Sequence, residues 1–371
     1  MAPSGCKSLS ASLLSAFLSL ALTATAAHAV TIDWVAVGDP GNTADTDPAG
    51  VGAVATSFQI MKYEFTNQLY TDFLNSVART DTYSLYNTNM NSSGFGGISR
   101  SGASGAYTYS VKTNMGNSPV NFVSWFDAAR VSNWLMNGAT SSSSTETGAY
   151  TLLGGQTSGT APAANSGATF YVPTGDQWYK AAYYKGSGTN AGYWDYATQS
   201  NTTPTKVSAG STGNGSAGST GNFANFMYGV GNVTTVGTNG GPSAYGTFDM
   251  TGNIAEWNDL TGAAGSSRGR WGGNYGDNGG FFTSSSYRPD VSAALEVEYL
   301  GFRLASSLSN PSGVPEIDPA GLGSVLALVT GALGLLERRR IGRRGDRQAA
   351  DGLWSNSLLH LRDEVPGAQL P

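Results

Sequence analysis

The chain has 371 residues, 51 of them glycine, with 12% charged residues, 40% hydrophobic residues and a formal net charge of −5. That composition excludes a helical bundle and describes a loop-rich globule with room for one large domain or two modest ones. The single cysteine is Cys6 and the histidines are His28 and His360; residues 30 to 314 therefore cannot supply Cys/His nucleophiles, Ser-His-Asp triads, His-ligated zinc or disulfides.

At the N-terminal end, Lys7 precedes the apolar run Leu13 to Leu22, and small residues lead to Ala27-His28-Ala29. This is the pattern of a signal peptide over residues 1–29, with the mature chain beginning near Val30 outside the cytoplasm. Asp39, Asp45 and Asp47 sit among Gly, Asn, Thr and Pro, where aspartate closes turns onto nearby amides. Phe58 to Phe65 alternates like a half-buried strand. Thr66 then opens a helix with Tyr70, Phe73, Leu74 and Val77 on one face. In Pro119 to Leu135, Ser124 is a helix cap with Asp127 three residues on, and Trp125, Ala128, Val131 and Leu135 fall at helical spacing. Thr174 and Gln177 form the same kind of box in Tyr171 to Ala182. Trp178, Tyr179, Tyr183, Tyr184, Tyr193, Trp194 and Tyr196 make an aromatic-rich block, which either packs beneath long loops, the preferred reading, or forms a carbohydrate-stacking platform.

Near the C-terminal end, Val314-Pro315-Glu316 lies in a linker over 309–318 and precedes an apolar stretch assigned as a transmembrane helix over 319–336. A basic tail over 337–371 opens with Glu337-Arg338-Arg339-Arg340, and clustered arginines on one flank mark a cytoplasmic side. Residues 30–336 carry 12 basic against 20 acidic residues, a net charge of −8. No nucleic-acid partner is expected on that balance, since it offers no basic patch.

Six segments carry a family resemblance through their order and spacing: Lys62-Tyr-Glu-Phe-Thr-Asn67, Pro119 to Trp125, Val172 to Trp178, Asp249-Met-Thr-Gly-Asn-Ile-Ala-Glu-Trp257, Trp271-Gly-Gly-Asn-Tyr275 and Gly301-Phe-Arg-Leu304. Together they resemble the formylglycine-generating enzyme, or sulfatase-modifying factor, domain. The resemblance implies an α+β fold over residues 30–308, a variant of the C-type lectin fold with a twisted antiparallel sheet, few short helices and much irregular loop. In the active enzymes two cysteines after the Gly-Gly motif bind copper, and soft thiolates are what Cu(I) needs. Those positions fall near Asp277 and Phe282, so no copper is expected. A related branch that holds iron through histidine lacks its ligands here as well.

The resemblance further implies structural Ca2+ at Asp249, Gly252, Ile254 and Glu256, the Gly and Ile acting through carbonyls, and a weaker second site at Asn225 and Phe226. Oxygen donors of these kinds suit a hard cation; the alternative is that Asp249 and Glu256 simply accept loop hydrogen bonds. Arg303 is expected to pair with a carboxylate inside the fold. The C-terminal order resembles a bacterial PEP-CTERM sorting signal, which implies export, a sorting protease of the exosortase type as partner, and transient membrane anchoring through the C-terminal helix. The expectation is an exported, surface-associated, non-catalytic binding or structural protein of the extracellular polysaccharide matrix, with polysaccharide or a surface protein as partner. The alternative is an enzyme: a protein-modifying oxidase of the formylglycine-generating type, or a hydrolase using paired carboxylates.

Overall fold

The computed structural model describes residues 30–307; the expected signal peptide, sorting linker, C-terminal helix and basic tail lie outside the described residues. Among the described residues no helix is long and apolar enough to cross a membrane.

Two small sheets frame the fold. The first joins β1 (Trp34–Val37), β2 (Phe58–Met61), β12 (Ala305–Ser307) and β5 (Phe170–Tyr171), in that order and wholly antiparallel. The chain's last described strand thus fills the centre of a sheet whose other members come from its first half. The second sheet runs β10 (Asp290–Ser292), β9 (Ser267–Trp271), β8 (Ala255–Asn258), β11 (Leu300–Gly301). Here β11 lies parallel to β8 over two residues, and β6 (Thr205–Lys206) with β7 (Phe223–Ala224) forms a second short parallel pair. A hairpin, β3 (Ile98–Ser101) with β4 (Thr108–Val111), completes the strands.

The helices form where capping chemistry and spacing predict them. In α1 (Asn67–Val77) the Thr66 side chain accepts from the Leu69 N–H, and Tyr70, Phe73 and Leu74 are buried. A single turn, α2 (Asn89–Ser92), follows. In α3 (Trp125–Met136) the Ser124 hydroxyl accepts from the Asp127 N–H while the Asp127 carboxylate accepts from the Ser124 N–H and hydroxyl. Thr174 and Gln177 reproduce that reciprocal pair at the start of α4 (Gly175–Tyr183). Two expectations are corrected. The strand from Phe58 stops at Met61: Lys62 N–H still meets the Asp33 carbonyl in the β1–β2 register, but Phe65 N–H bonds the Phe302 carbonyl two residues out of the β2–β12 register, so the ladder ends. And α3 is buried from Trp125 through Leu135 rather than along one stripe, since β5 and the long loops cover its second side.

The aromatic block is core. Trp178, Tyr179, Tyr183 and Tyr184 are at most 1% exposed, and their rings meet each other, Tyr193 and Trp271 at 4.8–6.4 Å. That geometry is edge-to-face packing, contributing about 0.5–1.5 kcal/mol per pair beyond burial; the stacking platform is not built from these residues. Asp45 does close a turn, accepting from Thr46 and Asp47 N–H. Its other oxygen takes the Tyr179 hydroxyl at 2.7 Å, and Asp39 takes Gly188 N–H and the Tyr245 hydroxyl, so these aspartates also fasten loops far apart in sequence.

Four wholly or almost wholly buried carboxyls sit above their ordinary range, chiefly through burial: Glu64 well above it, Asp249 raised, Asp127 pushed up to about 8 and Asp259 to about 6. A carboxyl whose folded pKa is raised contributes stability below the unfolded value near 4 and loses it as pH climbs through the folded value. We therefore predict that the melting temperature falls between about pH 5 and pH 8, the reverse of ordinary acid denaturation, and that Asp127→Asn flattens the upper part of the slope in a thermal-shift series. For the caps, Ser124→Ala is expected to cost about 1–2 kcal/mol in urea unfolding.

Candidate functional site

At the centre of the molecule is Arg303. It is wholly buried and lies between β11 and β12. Its Nε and one Nη donate to the two oxygens of Glu256 on β8, both at 2.7 Å. The remaining donors reach the carbonyls of Met61, Lys62 and Phe248 at 2.7–3.2 Å, and the Trp178 indole N–H supplies Glu256 with a third bond at 2.8 Å. Burial, the largest single influence, would lower the Arg303 pKa, but the attraction and hydrogen bond of Glu256 together with the charges of Glu64 and Asp249 outweigh it and hold the guanidinium charged. The expected pairing with an internal carboxylate is present.

Glu64 stands 3.8 Å from the same guanidinium and accepts from the Asn253 amide at 2.8 Å, while its Oε2 has no hydrogen-bond partner. Burial raises its carboxyl first, the Asp249 charge raises it further, and Arg303 only partly offsets both. Three buried carboxylates thus face one cation. Holding the proton on Glu64 relieves that imbalance, because an ion without a counter-charge is costly in the interior.

Of the residues expected to hold calcium, the two carboxylates are already engaged within the protein. Both Glu256 oxygens are taken by Arg303 and Trp178. Asp249, at φ +59°, accepts from Gly237 N–H and from the Asn239 amide, one on each oxygen. A hard cation needs several converging free oxygens; with the Asp249 and Glu256 oxygens bonded, one here would rest on the Gly252 and Ile254 carbonyls. The second pair differs. Asn225 is wholly buried and its Oδ1 has no hydrogen-bond partner, which leaves that oxygen open to a cation, whereas the Phe226 carbonyl already accepts from Gly229 N–H. We predict that chelator leaves the melting temperature unchanged, whereas Glu256→Gln, which strands a buried guanidinium, costs about 3–5 kcal/mol; a chelator-induced drop would place a cation in the fold after all.

Asp277 and Phe282, on the loop after the Gly-Gly pair, both lie against Gly273. A Cβ placed on Gly273 would fall 2.6 Å from the Phe282 carbonyl and 3.0 Å from Asp277 Oδ2. Asp277 is spent on structure: its carboxylate accepts from Asn274 N–H at 2.8 Å, closing the turn after the Gly-Gly pair, and burial raises its pKa.

What this region displays is aromatic. Met227 and Tyr228 both occupy left-handed backbone, φ +51° and +50°, a conformation costing side chains of this size about 1 kcal/mol or more each. It is imposed by two bonds to the neighbouring loop, Met227 N–H to the Asp277 carbonyl and Tyr228 N–H to the Tyr275 carbonyl. The result turns Tyr228 outward, 67% exposed, with its ring against Gly276. On the same loop Phe281 is 59% exposed and packs edge-on against Phe282 and Tyr287 at 5.6 Å. Neither residue stands out in the sequence beyond being aromatic within a Gly- and Asn-rich loop; the signal was Phe-Met-Tyr-Gly and Gly-Gly-Phe-Phe, bulky residues with no periodicity to bury them. The enzymatic alternative asks instead for two reachable carboxylates in one cleft. The groove of about 450 Å³ lined by Thr31, Asp33, Tyr63 and Glu64 has the volume of a ligand site. Of its two carboxylates, however, Glu64 is fully buried and hydrogen-bonded inward to Asn253.

The family described as Sulfatase-modifying factor enzyme 1-like domain matches residues 29–308. Among solved structures the chain is similar to Treponema denticola variable protein 1 (17% identity, TM-score 0.45, covering 75% of this chain and 98% of that one). It is similar also to CarF (20%, TM-score 0.45, 75% and 99%) and to PvdO from Pseudomonas aeruginosa (17%, TM-score 0.38, 75% and 93%). No curated protein matches the chain.

Proposed function

The chain belongs to the sulfatase-modifying factor enzyme 1-like family, and from that premise we propose that it is an exported, non-catalytic binding protein of the extracellular polysaccharide matrix. The observation that carries this reading is Tyr228: a tyrosine in strained backbone, held two-thirds exposed over the loop where the family's chemistry resides. Exposed ring faces on a rigid support stack on the apolar faces of sugar rings, and hydrogen bonds that tie a strained backbone down supply that rigidity. Asp277 and Phe282 supply neither thiolate nor imidazole, and so neither copper nor the iron of the related branch has ligands there. Export, the exosortase-type protease and transient anchoring through the C-terminal helix rest on the terminal sequence patterns alone, and they place the face where matrix polysaccharide is available.

A glycan-binding screen tests the reading. The purified protein is expected to retain polysaccharide fragments, and Tyr228→Ala and Phe281→Ala each to weaken binding about tenfold, equivalent to about 1.4 kcal/mol. Both side chains are exposed, so the melting temperature should hardly move. Equal retention by the variants would remove the aromatic face from the account, and an aldehyde formed on a Cys-containing sulfatase peptide with copper would restore the enzymatic one.

A further inference from the structure

We propose that Arg270 makes the aromatic face selective for saccharides that carry a carboxylate, uronic acids in the simplest case; this rests on the glycan-binding reading above and names its ligand class. Arg100, Arg130, Arg268 and Arg303 each have a carboxylate within 4.0 Å. Arg270, two residues beyond Arg268 on β9, has none among the described residues. Its Nε is buried without an acceptor, one Nη donates to the Tyr287 hydroxyl at 3.2 Å, and its guanidinium lies 5.2 Å from the Tyr299 ring centroid. Tyr287 in turn packs on Phe281 and Phe282. The nearby acid, Asp277, is turned onto Asn274 N–H and stays beyond ion-pair distance of Arg270, whose charge it feels only across that gap.

The cation is therefore half-buried among rings, bonded to the Tyr287 hydroxyl whose ring packs on exposed Phe281, with no carboxylate at ion-pair distance and only the more distant charge of Asp277 acting on it. Removing a guanidinium from water is costly unless an anion meets it, and its planar fork matches a carboxylate with two parallel donors. A uronic acid offers both features at once, a ring face for the aromatics and a carboxylate for the guanidinium. The rest of the exported segment is acidic, net −8, so attraction for a polyanion comes from this local pairing and not from a basic field. Arg288 stands on the partner strand beside Arg270, whose N–H bonds the Pro289 carbonyl, and its Nε likewise lacks an acceptor. Strand alternation sends Arg288 to the opposite face, over Tyr179; it is the built-in control.

The test is calorimetric titration of the purified protein with an oligogalacturonate and with its methyl ester, which keeps the rings and removes the charge. The acid is expected to bind about tenfold or more tightly than the ester. Arg270→Gln should erase that ratio while leaving ester binding as it was, Arg270→Lys should keep part of it, and Arg288→Gln should keep it whole. Equal affinity for acid and ester in the unmodified protein, or a ratio indifferent to Arg270→Gln, overturns the inference and leaves the glycan reading standing. Failure to bind either ligand overturns that reading and the inference with it. The acid-to-ester ratio of the unmodified protein decides the matter even if a variant fails to fold.

Discussion

The bidentate pair between Arg303 and Glu256 is the constraint on which the other parts depend. Five segments distant in sequence meet on it: the end of β2 through the Met61 and Lys62 carbonyls, α4 through Trp178, the loop at Phe248, β8, and the β11–β12 connection that carries the arginine itself. Such pairs contribute little net stability over a well-packed apolar core, because desolvation consumes most of the Coulomb gain. Their directional demands are another matter. Oriented donors that accept only one arrangement of carbonyls and carboxylate fix the register of β12 in the first sheet relative to β8 in the second, in a fold with few long elements to do so.

Caps and pairs were legible in the sequence; orientation was not. Thr66, Ser124 with Asp127, and Thr174 with Gln177 are local devices whose partners lie three residues away, so spacing reveals them. Arg303 was legible as a paired group because an arginine in a buried strand end has few other fates. The six ordered segments carried the family and the α+β class. In contrast, Tyr179 and Tyr228 are the same residue type in similarly polar neighbourhoods, yet one is wholly buried and the other two-thirds exposed. The difference arises from non-local bonds, Tyr179 to Asp45 across 134 residues and the Tyr228 backbone to Tyr275, which no window of sequence contains. The same holds for Glu256: motif position marks it as an oxygen ligand, and only the three-dimensional arrival of Arg303 and Trp178 shows that its oxygens are spent.

A binding face on this fold needs rigidity more than extent. Loops dominate the surface, and a loop that orders on binding charges its conformational entropy against affinity. The 225–229 and 272–287 segments avoid much of that charge. Asn225 and Asn253 interlock through backbone and side-chain bonds, Met227 and Tyr228 are tied to Asp277 and Tyr275, and Asp277 closes its own turn. Each bond satisfies a polar group that would otherwise be stranded, and collectively they hold two bulky residues in a backbone conformation they would leave if free.

The same economy governs the loop after the Gly-Gly pair. The Asp277 carboxylate does a turn's work, accepting the Asn274 N–H. Phe282 contributes a ring locked edge-on to Phe281 and Tyr287. Gly273 keeps Asp277 and Phe282 close, since any side chain there would collide with the Phe282 carbonyl. A loop so constrained holds Tyr228 and Phe281 outward, with Arg270 bonded to Tyr287 at its edge, in a geometry fixed before any contact is made.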